Sequence, residues 1–157
     1  MKFKIIIIGK TKENYLQQGE KEFQKRLSRF CQLEWVIVKE QRFDANTSEQ
    51  TIIKTESESI LSKITKDDFV IALDRTGEQM TSEELAVFLQ KKMNEGYSKI
   101  TLIIGGTFGL GEKVLKSAST ILSLSKMTFT HEMSRLILLE QLYRAFTILN
   151  GSKYHKA

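Results

Sequence analysis

Four of the chain's nine glycines fall within seven residues, Gly105-Gly106-Thr107-Phe108-Gly109-Leu110-Gly111, directly after the apolar run Lys99 to Ile104. Glycine adopts backbone angles that other residues resist and lets a ligand approach the main chain closely. In open parallel sheets, ligands bind beyond the carboxyl ends of the strands. A glycine turn at such an end reads as one wall of a nucleotide-type site. A tight strand-to-helix turn without a ligand would use the same residues.

Two phosphate motifs are excluded by spacing. A P-loop needs Gly, four residues, Gly, then Lys and a hydroxyl residue. The separation of Gly106 and Gly111 fits, but Glu112 stands at the lysine position and Lys113 at the hydroxyl position. A carboxylate there repels a triphosphate. The dinucleotide pattern Gly-x-Gly-x-x-Gly is also absent, since the order here is Gly-Gly-x-x-Gly-x-Gly. Such a turn suits an uncharged base-and-ribose body, as in S-adenosyl-L-methionine, whose sulfonium tolerates an apolar wall. Leu73, Leu124, Met127 and Phe129 can supply that wall, although each can equally be core.

A second cluster, Ser123-Leu124-Ser125-Lys126-Met127-Thr128-Phe129-Thr130-His131, is a strand end followed by a polar loop. His131 is one of only two histidines. At a helix start it can bind phosphate, move a proton near neutral pH or cap the helix. Further on, Arg144 suits either bidentate phosphate contact or an ion pair with a neighbouring carboxylate. Tyr154 and His155 stand between Lys153 and Lys156. Aromatic stacking beside cationic charge fits a flipped-out RNA base, and a frayed terminus has the same composition. One cysteine and two separated histidines cannot form a zinc site, and no Gly-x-Ser-x-Gly elbow is present.

The elements that must position these residues follow from periodicity. Phe3 to Ile8, Leu33 to Val38, Phe69 to Asp74, Lys99 to Ile104 and Ile121 to Ser125 read as strands, the third ended by Arg75-Thr76-Gly77-Glu78. Tyr15, Gly19, Phe23, Leu27 and Phe30 recur at helical spacing, as do Ile52, Ile53, Ile60, Leu61 and Ile64. Thr81 and Glu84 form a capping box for a helix ending near Gly96. Glu112 to Ala118 is a short helix, and the last helix spans about Met133 to Asn150. Strands alternating with helices imply an α/β fold, a mostly parallel sheet with helices on both faces, in one domain over residues 1–157.

The composition, 41% hydrophobic and 27% charged, excludes a disordered chain. No apolar run approaches the roughly 18 residues of a membrane helix, so cytoplasmic residence is expected. The formal charge is +5, and from Glu112 onward seven basic residues face three acidic ones. That bias favours a polyanionic partner such as RNA, and a solvated charged surface explains it too.

Taken together, Ile103-Ile104-Gly105-Gly106-x-x-Gly109-Leu110, Ser123-Leu124-Ser125-Lys126-Met127-Thr128-Phe129-x-His131, Leu142-Tyr143-Arg144-Ala145 and Tyr154-His155-Lys156 occur in order. With an Ile-x-x-Gly-Lys start, this set resembles the RlmH (YbeA/OrfX) group of SPOUT-class RNA methyltransferases over essentially the whole chain. The resemblance implies a homodimer with a C-terminal trefoil knot. It also implies S-adenosyl-L-methionine as methyl donor, and as target N3 of a pseudouridine in helix 69 of large-subunit (23S) ribosomal RNA. It further implies that Leu73, Gly105 and Leu124, Ser125, Lys126, Met127, Thr128 and Phe129 hold the cofactor. Arg144, Tyr154 and His155 would act on substrate, with the dimer interface as a route, and His131 would lie near the reacting base. The family usually carries proline where Thr130 stands, so a looser loop and weaker cofactor binding are expected. A non-enzymatic ribosome- or RNA-binding protein, or another nucleotide enzyme using the glycine turn, are the competing classes.

Overall fold

A computed structural model describes residues 1–41, 44, 46–152 and 154. The order is β1 (Lys2–Ile8), α1 (Asn14–Leu27), β2 (Gln32–Val38), α2 (Glu49–Leu61), β3 (Phe69–Gln79), α3 (Ser82–Asn94), β4 (Lys99–Ile104), α4 (Glu112–Ser117), β5 (Thr120–Ser123) and α5 (His131–Leu149). The five strands form one parallel sheet in the order β2-β1-β4-β3-β5. Because side chains alternate across a strand, β1 serves two cores. Phe3, Ile5 and Ile7 pack with α1, α3 and α5, while Ile6 and Ile8 pack with Ile60 of α2 and Val114 of α4. The expected α/β architecture, helices on both faces of a parallel sheet, is the one observed.

Three boundaries differ from the sequence expectation. Strand β3 does not stop at Arg75–Glu78 but continues to Gln79. Its register with β5 breaks between Leu73 and Glu78, which both pair with Leu122. Asp74 accepts from the Thr76 amide and hydroxyl, so turn-forming residues build a bulge within a strand. Gly77 passes so close to β5 that a Cβ there would sit 2.6 Å from the Ile121 carbonyl. In α1 the buried positions are Leu16, Glu20 and Leu27, whereas Tyr15 is 62% exposed. Gly19 instead makes room for Leu136 of α5, whose Cδ1 would lie 2.8 Å from an added Cβ. Finally, β5 ends at Ser123 and α5 begins at His131, two residues earlier than the apolar pattern suggests.

At the amino edge, Lys4 points into the second core and is 6% exposed. Its ammonium donates to the Asp68 carboxylate at 2.5 Å and the Lys63 carbonyl at 2.7 Å. Asp68 also pairs with Lys99 and accepts from Thr101 and from the Thr65 amide and hydroxyl. Burial alone would raise the Asp68 carboxyl, but the hydrogen bonds from Lys4, Lys99 and Thr65 hold it well below the usual carboxylate range. With the folded value depressed, its contribution is present at neutral pH and lost as pH falls below about 4. Asp68→Ala strands the Lys4 ammonium and is expected to cost about 3 kcal/mol or more in urea unfolding at pH 7. The deficit should shrink as pH is lowered, and a loss independent of pH would contradict this account.

Candidate functional site at the carboxyl edge

The sheet register assembles the candidate cofactor wall. Leu73 pairs with Ile104 on one side and Leu122 on the other. Gly105 is therefore one residue beyond that row and Leu124 two residues beyond it. Leu73, Gly105 and the 124–129 loop share the carboxyl edge of three adjacent strands, where an open α/β sheet receives ligands.

The glycines of the turn have separate duties. Gly106 and Gly109 form an antiparallel bridge, with the Gly109 amide donating to the Gly106 carbonyl at 3.1 Å. A Cβ on Gly105 would lie 2.6 Å from the Gly109 carbonyl carbon, and one on Gly111 would lie inside contact distance of Ser57 Oγ. A Cβ on Gly106 would meet the Glu56 carboxylate at 2.9 Å. Three of these glycines thus let the turn fold on itself and on α2. Only Gly109, with φ +80° and nothing within 4 Å of an added Cβ, faces open space. Glu56 is 4% exposed, and burial followed by repulsion from Glu40 pushes its carboxyl upward.

Opposite the turn, the 124–129 loop is braced from within. Ser123 Oγ donates to the Ser125 carbonyl, and the Met127 amide donates to Ser125 Oγ, each at 2.9 Å. Leu124 is half-buried, and Lys126, Met127, Thr128 and Phe129 are exposed, Met127 by 74%. An apolar side chain this exposed beyond a strand end is available to a ligand. Thr130 has φ −62°, within the range proline would impose, and its hydroxyl accepts from the Met133 amide as the N-cap of α5. The looser loop expected from the missing proline is therefore countered by a capping bond.

His131, the first residue of α5, is half-buried, and burial followed by the nearby Arg135 charge lowers its pKa. Arg135 itself is 0% exposed. Its guanidinium donates to the Ile8 carbonyl at 2.6 Å and to Thr11 Oγ1 at 2.9 Å. Thr11 in turn donates to Glu20, while Glu132 accepts the Lys12 and Glu13 amides. The loop after β1 is thereby stitched to the first turn of α5. Residue type alone puts Arg135 with the surface charges. The usable signal was its spacing, since Arg135, Leu138, Leu142 and Ala145 form one buried helical stripe.

Arg144 and Tyr154 are elsewhere. Helix α5 runs back along the sheet until Phe146 meets Phe3 at the start of β1, ring centroids 6.0 Å apart. Arg144 lies thirteen residues beyond His131, roughly 20 Å along a helix. It donates to Glu140 at 2.6 Å and covers the Tyr154 ring at 5.2 Å. Tyr154 also meets Tyr143 edge-on at 4.7 Å. His155 lies outside the described residues. Among the described residues, the basic side chains of the C-terminal third do not form one patch either, because Arg135 is buried, Arg144 is paired, and Lys116 is paired with Glu112 at 2.6 Å.

A family described as "Predicted SPOUT methyltransferase" matches residues 1–155. The chain belongs to the SPOUT methyltransferase family. Relatives named ribosomal RNA large subunit methyltransferase H are 49% identical in Halothermothrix orenii and 46% identical in Carboxydothermus hydrogenoformans, each match covering 99% of this chain and 100% of the relative. A probable methyltransferase structure from Bordetella pertussis shares the fold at TM-score 0.56 and 12% identity, over 91% of this chain and 95% of that one. A probable methylase family protein from Haemophilus influenzae matches at TM-score 0.54 and 15% identity, over 99% and 70%. Gly105→Ala drives a methyl into the Gly109 backbone and should cost about 2–3 kcal/mol. Gly109→Ala meets only the positive φ and should cost about 1 kcal/mol. Thermal unfolding of both variants checks the order, and equal losses would refute the division of roles.

Proposed function

We propose that this SPOUT methyltransferase transfers a methyl group from S-adenosyl-L-methionine to N3 of a pseudouridine in helix 69 of large-subunit (23S) ribosomal RNA. In this reading it works in the cytoplasm as a homodimer of single-domain, C-terminally knotted protomers. The relatives' name supports the class of RNA, and the finer target follows the family resemblance. One observation carries the assembly. The cofactor wall of Leu73, Gly105, Leu124, Ser125, Lys126, Met127, Thr128 and Phe129 is at the carboxyl edge, while Arg144, with Tyr154 beside it, lies roughly 20 Å along α5 from His131 on the same protomer. A second protomer placing its Arg144, Tyr154 and His155 over this wall completes a site that one chain leaves divided. Helix α5 suits such pairing, because Met133 and Ile137 remain partly exposed on one face while Leu138, Leu139, Leu142, Ala145 and Phe146 are buried in the core.

The wall fits the cofactor. Glu56 behind Gly106 is a buried carboxyl where a polyphosphate site would need a cation, and Leu73 and Leu124 offer an apolar surface to the adenosyl body. When bound, the cofactor supplies an electrophilic methyl carbon on sulfur and departs as a neutral thioether. The protein's own task is positioning, which brings the ring nitrogen in line with that carbon. The imide proton must leave N3, and His131, His155 or water can take it. Burial, and after it the Arg135 charge, lowers the His131 pKa against the opposing pull of Glu132 and Glu40, which favours the neutral imidazole that can accept a proton.

S-adenosyl-L-methionine should raise the melting temperature where ATP does not, and no shift would sink the proposal. Arg144→Ala should lower turnover by about 100-fold with cofactor affinity in titration calorimetry little changed. Mixing it with Leu124→Arg, inactive through its cofactor wall, should restore activity in mixed dimers, and no recovery would exclude sharing between protomers. If His131 is the base, the rate falls as pH drops through a value below the ordinary 6.5, and His131→Gln removes that limb. A limb that survives the substitution assigns the proton to another group.

A further inference from the structure

We propose that the amino edge of the protein, around the C-terminal end of α1, is a docking trough for the RNA strand that flanks the target nucleotide. The inference rests on the reading of the substrate as RNA. Two adjoining cavities of about 510 and 860 Å³ share Ser28, Arg29 and Phe30 in their walls. The smaller is flanked by Lys25, Arg26 and Tyr143, and the larger by Lys2, Tyr97 and Lys99.

Five side-chain cations line this trough against the carboxylates of Glu22 and Asp67. Arg26 is engaged by Glu22 at 2.7 Å, Lys2 by Glu34 at 2.6 Å and Lys99 by Asp68 at 2.5 Å. Lys25 and Arg29 are exposed and have no carboxylate partner among the described residues. Charges left unpaired on the rim of a concave surface are those a phosphate backbone can use. Aromatic rings are interleaved with them. Phe30 is locked by stacking on Phe146, interplanar angle 4°, and by Tyr143 at 6.0 Å, while Tyr97 is 37% exposed. Cations beside rigid rings are the pattern of single-stranded RNA binding, where bases stack and phosphates pair.

Position decides which polyanion fits. Tyr154, assigned above to the substrate, packs on Tyr143, and Tyr143 is also a wall of the smaller cavity. An RNA strand held at Tyr154 thus meets the trough as it leaves the target nucleotide. A lipid surface would want protruding apolar side chains, and the exposed side chains here include Lys25, Arg29 and the polar-tipped Tyr97.

The test is the double substitution Lys25→Gln and Arg29→Gln, which leaves the hydrophobic core, the cofactor wall, Arg144 and Tyr154 untouched. KM for the large ribosomal subunit should rise about tenfold, and the slope of log affinity against log salt should lessen by about two, one for each lost phosphate contact. Turnover at saturating subunit and the S-adenosyl-L-methionine thermal shift should stay at their original values. Binding of a target-loop RNA hairpin, measured by anisotropy without cofactor, separates this proposal from the methyl-transfer reading. A weaker-binding double variant upholds the trough even if no cofactor shift is seen. Unchanged hairpin affinity and salt slope with intact turnover overturn it. Tighter binding to anionic phosphatidylserine vesicles than to the hairpin, lost in the double variant, also overturns it by assigning the surface to a membrane.

Discussion

The guanidinium of Arg135 is the constraint on which the site depends. A cation removed from water survives only if its donors are met, and here the β1 carbonyl at Ile8 and the Thr11 hydroxyl meet two of them. Glu20 and Glu132 supply the opposing charge, and burial still lowers the Arg135 pKa. The Nε of Arg135 is buried without a partner among the described residues, so the arrangement is costly as well as specific. What it secures is geometry. Helix α5 must start at the end of β1, which places His131 there and anchors the loop that carries Leu124 to Phe129. A leucine at this position would pack well but would leave the β1 loop and Glu132 without a common partner.

The same logic explains what was legible in the sequence. Runs such as Phe3 to Ile8 and Lys99 to Ile104 announce strands buried on both faces, and the capping box of Thr81 and Glu84 appears as expected. Local pattern failed where tertiary contact overrides it. Arg75-Thr76-Gly77-Glu78 has turn chemistry, yet Gly77 exists to let β3 cross the backbone of β5. Tyr15 has the spacing of a core residue and lies outside it, because Gly19 sets the face on which α5 approaches.

The candidate site shows the same split. Leu73, Gly105 and Leu124 are far apart in sequence, and only the strand order β4-β3-β5 makes them neighbours. No periodicity encodes a strand order, so their grouping came through family resemblance. Conversely, the resemblance grouped His131 with Arg144 at the substrate, and the length of α5 separates them within one protomer.

The glycine turn sharpens what kind of ligand this edge can take. Backbone freedom at Gly105, Gly106 and Gly111 is consumed by the protein's own packing, which leaves Gly109 alone facing open space. A phosphate-binding loop does the reverse, since its glycines expose successive amides to the anion. Here the Gly109 amide is already committed to the Gly106 carbonyl. A buried carboxylate, Glu56, stands behind the turn where a phosphate site would place a cation. An edge built this way suits apolar contact better than phosphate binding, in keeping with the adenosyl cofactor proposed above. Arg144 and Tyr154, which one protomer holds away from this edge, are supplied in the proposed dimer by a second copy of α5 and its tail.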